Sequence, residues 1–136
     1  MSLDWLQLES EIYNRLVGDA QLQTLLGGQK VYNTVAPRRA RLPVVVFSLA
    51  SGVEEDLTPT RQVRLVYLIK AVADDADDAL AIARRIDELM HQVSFPAGGM
   101  STFWCQRDTM VKLMEEGMGG RSIWHVGAQY VIRLSE

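Results

Sequence analysis

The sequence predicts an α+β fold in which a mainly antiparallel β-sheet carries two or three helices packed on one face. Apolar residues recur at helical spacing near the N-terminus and again in residues 75–92. They alternate strictly with polar residues from Trp124 to Leu134. Strand patterns also follow one another directly in residues 30–73, which a parallel doubly wound sheet does not allow. With 136 residues, the chain is expected to form one domain spanning residues 1–136.

Two helices are predicted before the first strand. Asp4 is placed to cap the first helix, and Gly18 is expected to end it in the left-handed conformation. Asp19 can cap a second, short helix that stops at Gly27-Gly28. The residues predicted to bury one face of the first helix are Trp5, Leu8, Ile12 and Leu16.

Three strands are predicted next, at about residues 30–35, 44–51 and 60–73. The third strand alternates, and its predicted core face carries Val63, Leu65, Tyr67, Ile69 and Ala71. Between the second and third strands, residues 52–59 contain Glu54-Glu55-Asp56, whose burial would be costly. This segment is therefore predicted to be a solvated hairpin tip.

A helix is predicted over residues 75–92, with aspartates gathered at its positive end. A strand at 102–114, a glycine-rich turn at 115–122 and a last strand follow. In the last strand Trp124, Val126, Ala128, Tyr130, Ile132 and Leu134 are expected to face the core. His125, Gln129 and Arg133 should point the other way.

Composition narrows the class of protein. Hydrophobic residues make up 48% and charged residues 23% of the chain, as in ordinary globular proteins. No apolar run approaches the roughly 20 residues of a membrane helix, and no secretory signal is visible, so a cytoplasmic origin is expected. The net charge of −3 argues against a general nucleic-acid binder. Cys105 is the only cysteine, which excludes an internal disulfide and a multi-cysteine zinc site.

No pattern in the chain indicates catalysis, a cofactor or a metal site. The aspartates at 74–78 lack the glycine and distal glutamate of a calcium loop, and helix capping explains them better. A pairing of Cys105 with His91 or His125 has no spacing that guarantees proximity, so a buried cysteine and surface histidines are expected. Among the tryptophans, Trp5 and Trp124 fall on predicted core faces, which leaves Trp104 as the plausibly exposed one.

A basic bend is the most informative feature. Pro37 and Pro43 each push the preceding residue out of helical geometry and remove a backbone donor. They therefore confine Arg38, Arg39 and Arg41 to an exposed bend between two strands. Solvation alone would explain these arginines. They could also pair with a neighbouring subunit's carboxylates, or face DNA if they line a pore.

This arrangement resembles the tail-completion proteins (tail terminators, minor tail proteins) of long-tailed bacteriophages and prophages. The resemblance covers nearly the whole chain and rests on element order. Its closest matches are Val31-Tyr32, Ala36-Pro37, Leu42-Pro43, the alanine-rich helix from Asp75 and the terminal Tyr130-Val131-Ile132-Arg133.

The resemblance implies a structural virion assembly protein without enzymatic activity. Such a subunit forms a ring, commonly hexameric, on the end of a finished tail tube, stops polymerisation and offers the head–tail joining surface. The implied partners are other copies of the chain, the major tail tube protein and the head–tail connector protein, with DNA passing through the lumen. The protein would reside in the virion tail, or in the host bacterial cytoplasm when expressed from a prophage.

Two other readings stay open: another neck or head-closure component, and a monomeric α+β module that binds nucleic acid or a small ligand. For the ring, we expect the basic bend of one subunit to meet the acidic hairpin tip of the next, because an interface of two different surfaces can close a ring. The predicted interface residues are Arg38, Arg39, Arg41, Glu54, Glu55, Asp56, Met118 and Arg121.

Overall fold

Six strands form one sheet, and three helices pack against it. The structure is a computed structural model that describes residues 3–54 and 61–136, apart from the side chain of Met118. The elements in chain order are α1 (Trp5–Val17), α2 (Ala20–Leu26), β1 (Val31–Asn33), β2 (Val44–Glu54), β3 (Gln62–Ala73), α3 (Ala76–Met90), β4 (Pro96–Ala97), β5 (Met100–Glu116), a 3₁₀ turn (Met118–Gly120) and β6 (Ser122–Ser135).

The strand order in the sheet is β1-β2-β3-β6-β5-β4. Every pair is antiparallel except β1 and β2, which run parallel because the bend between them carries the chain back to the same end of the sheet. The predicted α+β class and mainly antiparallel sheet are confirmed. The two-residue strand β4 was not predicted, since Pro96–Ala97 is too short to show any periodicity.

Side-chain caps start all three helices as the sequence predicts. Asp4 accepts a hydrogen bond from the Gln7 amide at 3.0 Å, and the Asp19 carboxylate accepts one from the Leu22 amide at 2.9 Å. Asp75 caps α3 through the Asp77 amide at 2.8 Å. The prediction for Gly18 was wrong: it ends α1 in the right-handed region (φ −80°), because α2 begins almost at once.

The core lies between the helices and one face of the sheet, here called the inner face. The alternating residues predicted for β3 and β6 point into it, and Leu8, Ile12 and Leu16 of α1 are buried against them. Trp5 was predicted to join this face but is 44% exposed. It lies in the first turn of α1 and lines a shallow apolar groove with Leu49 and Val53, which are exposed themselves.

Polar side-chain contacts hold the helices in place against the sheet and against each other. Glu9 of α1 accepts hydrogen bonds from Tyr67 Oη at 2.8 Å and from Asn33 Nδ2 at 2.9 Å. Burial, followed by the contact with Glu9, raises the pKa of Tyr67 above its ordinary value. On α3, Arg85 holds Asp19 with two hydrogen bonds, at 2.7 and 2.9 Å, which joins α2 to α3.

Two strands are longer than the sequence predicted. Residues 52–54, assigned to the hairpin tip, continue β2, and Glu115 and Glu116, assigned to a turn, continue β5. Both extensions are mainly polar or small and therefore lack the apolar alternation that marks a strand. The rest of the predicted tip, including Glu55 and Asp56, lies outside the described residues.

Candidate functional site

The opposite face of the sheet, here called the outer face, carries none of the described helices. It presents the residues of β2, β3 and β6 that alternate with the core positions, in register across the strands. Only the bend, residues 34–43, folds over one end of it. The outer face is therefore a broad surface of the described fold that none of these helices covers.

The bend is held by backbone contacts and leaves its arginines outside. The Ala40 amide donates to the Pro37 carbonyl at 3.0 Å, and Lys30 Nζ donates to the Arg41 carbonyl at 3.3 Å. Arg38, Arg39 and Arg41 are all exposed, as predicted. The two prolines thus set the bend as the sequence indicates, directly before β2 begins.

Between the bend and the sheet lies a groove of about 860 Å³, here called the basic groove. Arg38 and Arg41 line it from the bend, Lys70 from β3 and Arg121 from the turn before β6, while Arg39 is not among its lining residues. Three predicted interface residues therefore share one groove, and Arg121 reaches it from a segment about 80 residues further along the chain than Arg38 and Arg41.

Two acidic groups partly neutralise this positive charge at one end of the groove. Asp74 pairs with Arg121 at 3.1 Å, with both side chains mostly exposed. Glu115 Oε1 lies 2.6 Å from His125 Nε2, and the side chain of His125 is only 14% exposed. The prediction of a surface histidine is therefore wrong for His125, because Glu115 and the groove wall enclose it. Its Nδ1 is buried without a hydrogen-bond partner among the described residues.

The acidic hairpin end lies at the opposite end of β2. Glu54 is exposed and forms a loose ion pair with Arg61 at 3.6 Å. Ten residue steps separate it from Val44, where the bend ends, a span of about 33 Å at roughly 3.3 Å per residue. The basic bend and Glu54 of one subunit therefore cannot meet each other.

The strand register keeps Cys105 and His125 apart. Cys105 faces the core and Sγ lies 3.1 Å from the Met90 carbonyl, while burial raises the pKa of its thiol to about 12. His125 lies on the outer face opposite Leu113, eight residues further along β5. In the described residues no group of three or more histidine, cysteine or acidic side chains could hold a metal ion.

Apolar side chains are exposed along both edges of the sheet. On β5, where β4 pairs only with Met100 and Ser101, the exposed residues are Phe103, Trp104, Met110, Leu113 and Met114. On β2, where β1 covers only Val45 to Phe47, Leu49 and Val53 are exposed. These two stretches are called the open edges. Strand edges with exposed apolar residues are typical of protein interfaces.

The sequence reasoning missed the outward-facing cations of the sheet as a group. Arg64 and Lys70 of β3 and Arg133 of β6 lie on the outer face, and Arg64 is directly opposite Arg133. The signal was present in the alternation, because these residues occupy the positions between the predicted core residues. Only the strand order shows that they join the basic groove on one surface.

The described residues form a closed core with open strand edges and charged surfaces. In a family comparison, the model of the tail completion protein gp17 family matches residues 10–125. The chain belongs to this family of structural phage tail proteins. None of the described helices is long and apolar enough to cross a membrane.

Solved structures share the fold. One, described as the virion of a native gene transfer agent particle, matches with a TM-score of 0.76 and 16% identity over 98% of each chain. A second, which carries no descriptive name, has a TM-score of 0.56 and 16% identity over 93% of this chain and 94% of its own. No curated protein sequence matches this one.

Proposed function

We propose that this protein is a tail-terminator subunit, a single domain of residues 1–136 that assembles into a ring, commonly a hexamer, on the end of the tail tube. The ring stops polymerisation of the tube protein and offers the surface on which the head–tail connector binds. The observation that carries this proposal is the pair of open edges on opposite sides of the sheet, in a chain of the tail completion family.

The open edges suit a contact between different surfaces of two copies. Met110 is 72% exposed on β5, and Leu49 and Val53 are exposed on β2. A contact that joins one edge of a subunit to the other edge of the next is heterologous, and it closes into a ring when the rotation between copies allows. Burying these side chains removes apolar surface from water at about 25 cal/mol per Å².

The experiment is to measure native mass and sedimentation across protein concentration and ionic strength. We expect one closed oligomer, and we expect it to bind the ends of purified tail tubes. Met110→Gln should weaken the oligomer, because it places a polar group on the open edge of β5. Leu25→Gln is the matched control, since Leu25 is 37% exposed on α2, which packs on α3.

A strict monomer that also fails to bind tail tubes would overturn the proposal. Equal loss of assembly in Met110→Gln and Leu25→Gln would contradict the role of the open edges and leave the ring to other surfaces. An oligomer that binds the head connector but not the tube would indicate a head-closure component instead.

A further inference from the structure

Charge is segregated between the two layers of the protein. The helical layer is mainly acidic, with three arginines (Arg15, Arg84, Arg85) among the residues Asp4, Glu9, Glu11, Asp19, Asp75, Asp77, Asp78, Asp87 and Glu88. The outer face is basic on balance: Arg64, Lys70 and Arg133 project from the sheet, and the basic groove adds three more arginines. These six cations stand against the three carboxylates of Asp74, Asp108 and Glu115. An acidic chain thus presents one cationic surface.

The central strands of the outer face, β2, β3 and β6, have little apolar surface left to bury. Val46, Val66 and Val131 lie there and are only 7%, 7% and 8% exposed, and Leu68 is partly exposed. The more exposed Trp104 and Leu113 lie at the margin of this face, on β5. The cores of protein interfaces are depleted in charged residues, whereas interfaces with nucleic acid are polar and strongly positive. The composition of the central strands therefore favours a polyanion over a packed protein surface.

The cations also extend along the strands. Lys70 lies in the basic groove, and Arg64 is six residues away on β3, which spans about 20 Å. A short acidic hairpin tip can neutralise one end of such a surface but not both. Duplex DNA carries one negative charge per about 1.7 Å of its axis and can contact the whole length.

We propose that the outer face, together with the basic groove, binds the phosphate backbone of double-stranded DNA without regard to base sequence. This deepens the proposed function by assigning the DNA-facing surface of the subunit, with the acidic helices turned away. Arg38 and Arg41 then face DNA at the groove end, and Arg64 and Arg133 contact it at the other end. The binding itself can be measured whether or not the ring forms.

The test is fluorescence anisotropy of a labelled duplex of about 30 base pairs, titrated with the full-length protein from about 50 to about 200 mM salt. We expect equal affinity for unrelated sequences. The logarithm of the binding constant should fall linearly with that of salt, with a slope steeper than about −3 if four phosphates are contacted.

Arg64→Gln should weaken binding several-fold for every sequence and reduce the slope by about one. Arg38→Gln is a second variant, on an exposed bend. If one of the two variants fails to fold, the DNA affinity of the other still tests the proposal. Arg84→Gln is the matched control: it removes the same charge from the helical layer, where Arg84 pairs only loosely with Glu88 at 3.7 Å, and should leave binding unchanged.

Lack of binding at the lowest salt would overturn the proposal, as would equal losses in Arg64→Gln and Arg84→Gln. A further outcome would assign the groove to a second copy of the chain. If Arg38→Glu with Arg39→Glu abolishes assembly, and Glu54→Lys with Glu55→Lys restores it, the basic bend binds the acidic tip of a neighbour. Native mass measures assembly without DNA. A failure of DNA binding can therefore be distinguished from a failure of ring assembly.

Discussion

Neighbouring residues of β3 lie in two different environments. Ile69 points to the inner face and is fully buried beneath the helices, whereas Lys70 points to the outer face and lines the basic groove. The same alternation repeats along β6, where Ile132 is buried and Arg133 faces outward. The inner face is packed with apolar side chains, and the outer face carries charge. Substitutions on the two faces should therefore differ in kind.

The largest difference in stability is expected between Ile69→Ala and Leu68→Ala. Ile69 has no exposed surface, so its truncation should lower the free energy of unfolding by about 2–5 kcal/mol. Leu68 is partly exposed on the outer face, and its truncation should cost about 1 kcal/mol or less. Urea unfolding of both variants measures the two values. Equal losses would show that the outer face is packed as tightly as the inner one.

Within the helical layer, Asp19→Ala tests whether polar side-chain contacts add to the stability that apolar packing provides. The change removes a helix cap worth about 1 kcal/mol and hydrogen bonds from Arg85 worth about 1.5–3 kcal/mol, so we expect a loss of about 3 kcal/mol. Asp19→Asn keeps the cap and should lose less. Unfolding midpoints of the two variants separate these contributions; identical losses would mean that the cap contributes nothing.

The ion pair between Asp19 and Arg85 should make the stability of the protein depend on pH. The hydrogen bond from Arg85 is the main cause that lowers the pKa of Asp19 below its ordinary value of 3.8. Because the folded protein holds the ionised form, this contribution is complete above that value and is lost as the pH falls through the lower folded pKa. The stability gap between the wild type and Asp19→Asn should therefore narrow in acid. A gap that is constant with pH would rule out a contribution from the charge.

One outer-face position is tightly packed because the neighbouring backbone approaches it closely. Gly127 of β6 lies opposite Lys70, and a Cβ there would meet the Ile69 carbonyl oxygen and, at 2.5 Å, Lys70 Cα. Gly127→Ala should therefore destabilise by about 1–3 kcal/mol through a shift of the strands. Gly119→Ala is the contrasting variant, since open space surrounds that residue and only its positive φ opposes the change. Thermal unfolding distinguishes the two.

The predictions from sequence held where a pattern repeats over several residues. The caps at Asp4, Asp19 and Asp75 and the alternation of β3 and β6 follow local rules, and the structure confirms them. The predictions from sequence were wrong at the ends of elements and missed the shortest strand. Trp5 has the right spacing for the core but lies one turn beyond it, and β4 is only two residues long.

The candidate site could be predicted only in part. The prolines around the bend placed Arg38, Arg39 and Arg41 in solvent from sequence alone. That Arg121 and Lys70 share a groove with Arg38 depends on contacts between segments separated by more than 30 residues. Because no periodicity links such segments, a one-dimensional pattern carries no sign of them.

By itself, the sequence determined the α+β class, the helix starts and the inner face, because capping and side-chain periodicity act over a few residues. The tertiary structure alone decided which strands became open edges, and it brought six cations of an acidic chain together on one face. Strand order and the packing of helices on one side depend on contacts between distant segments, because they are set by which apolar faces meet. The open edges and the charged outer face follow from those contacts.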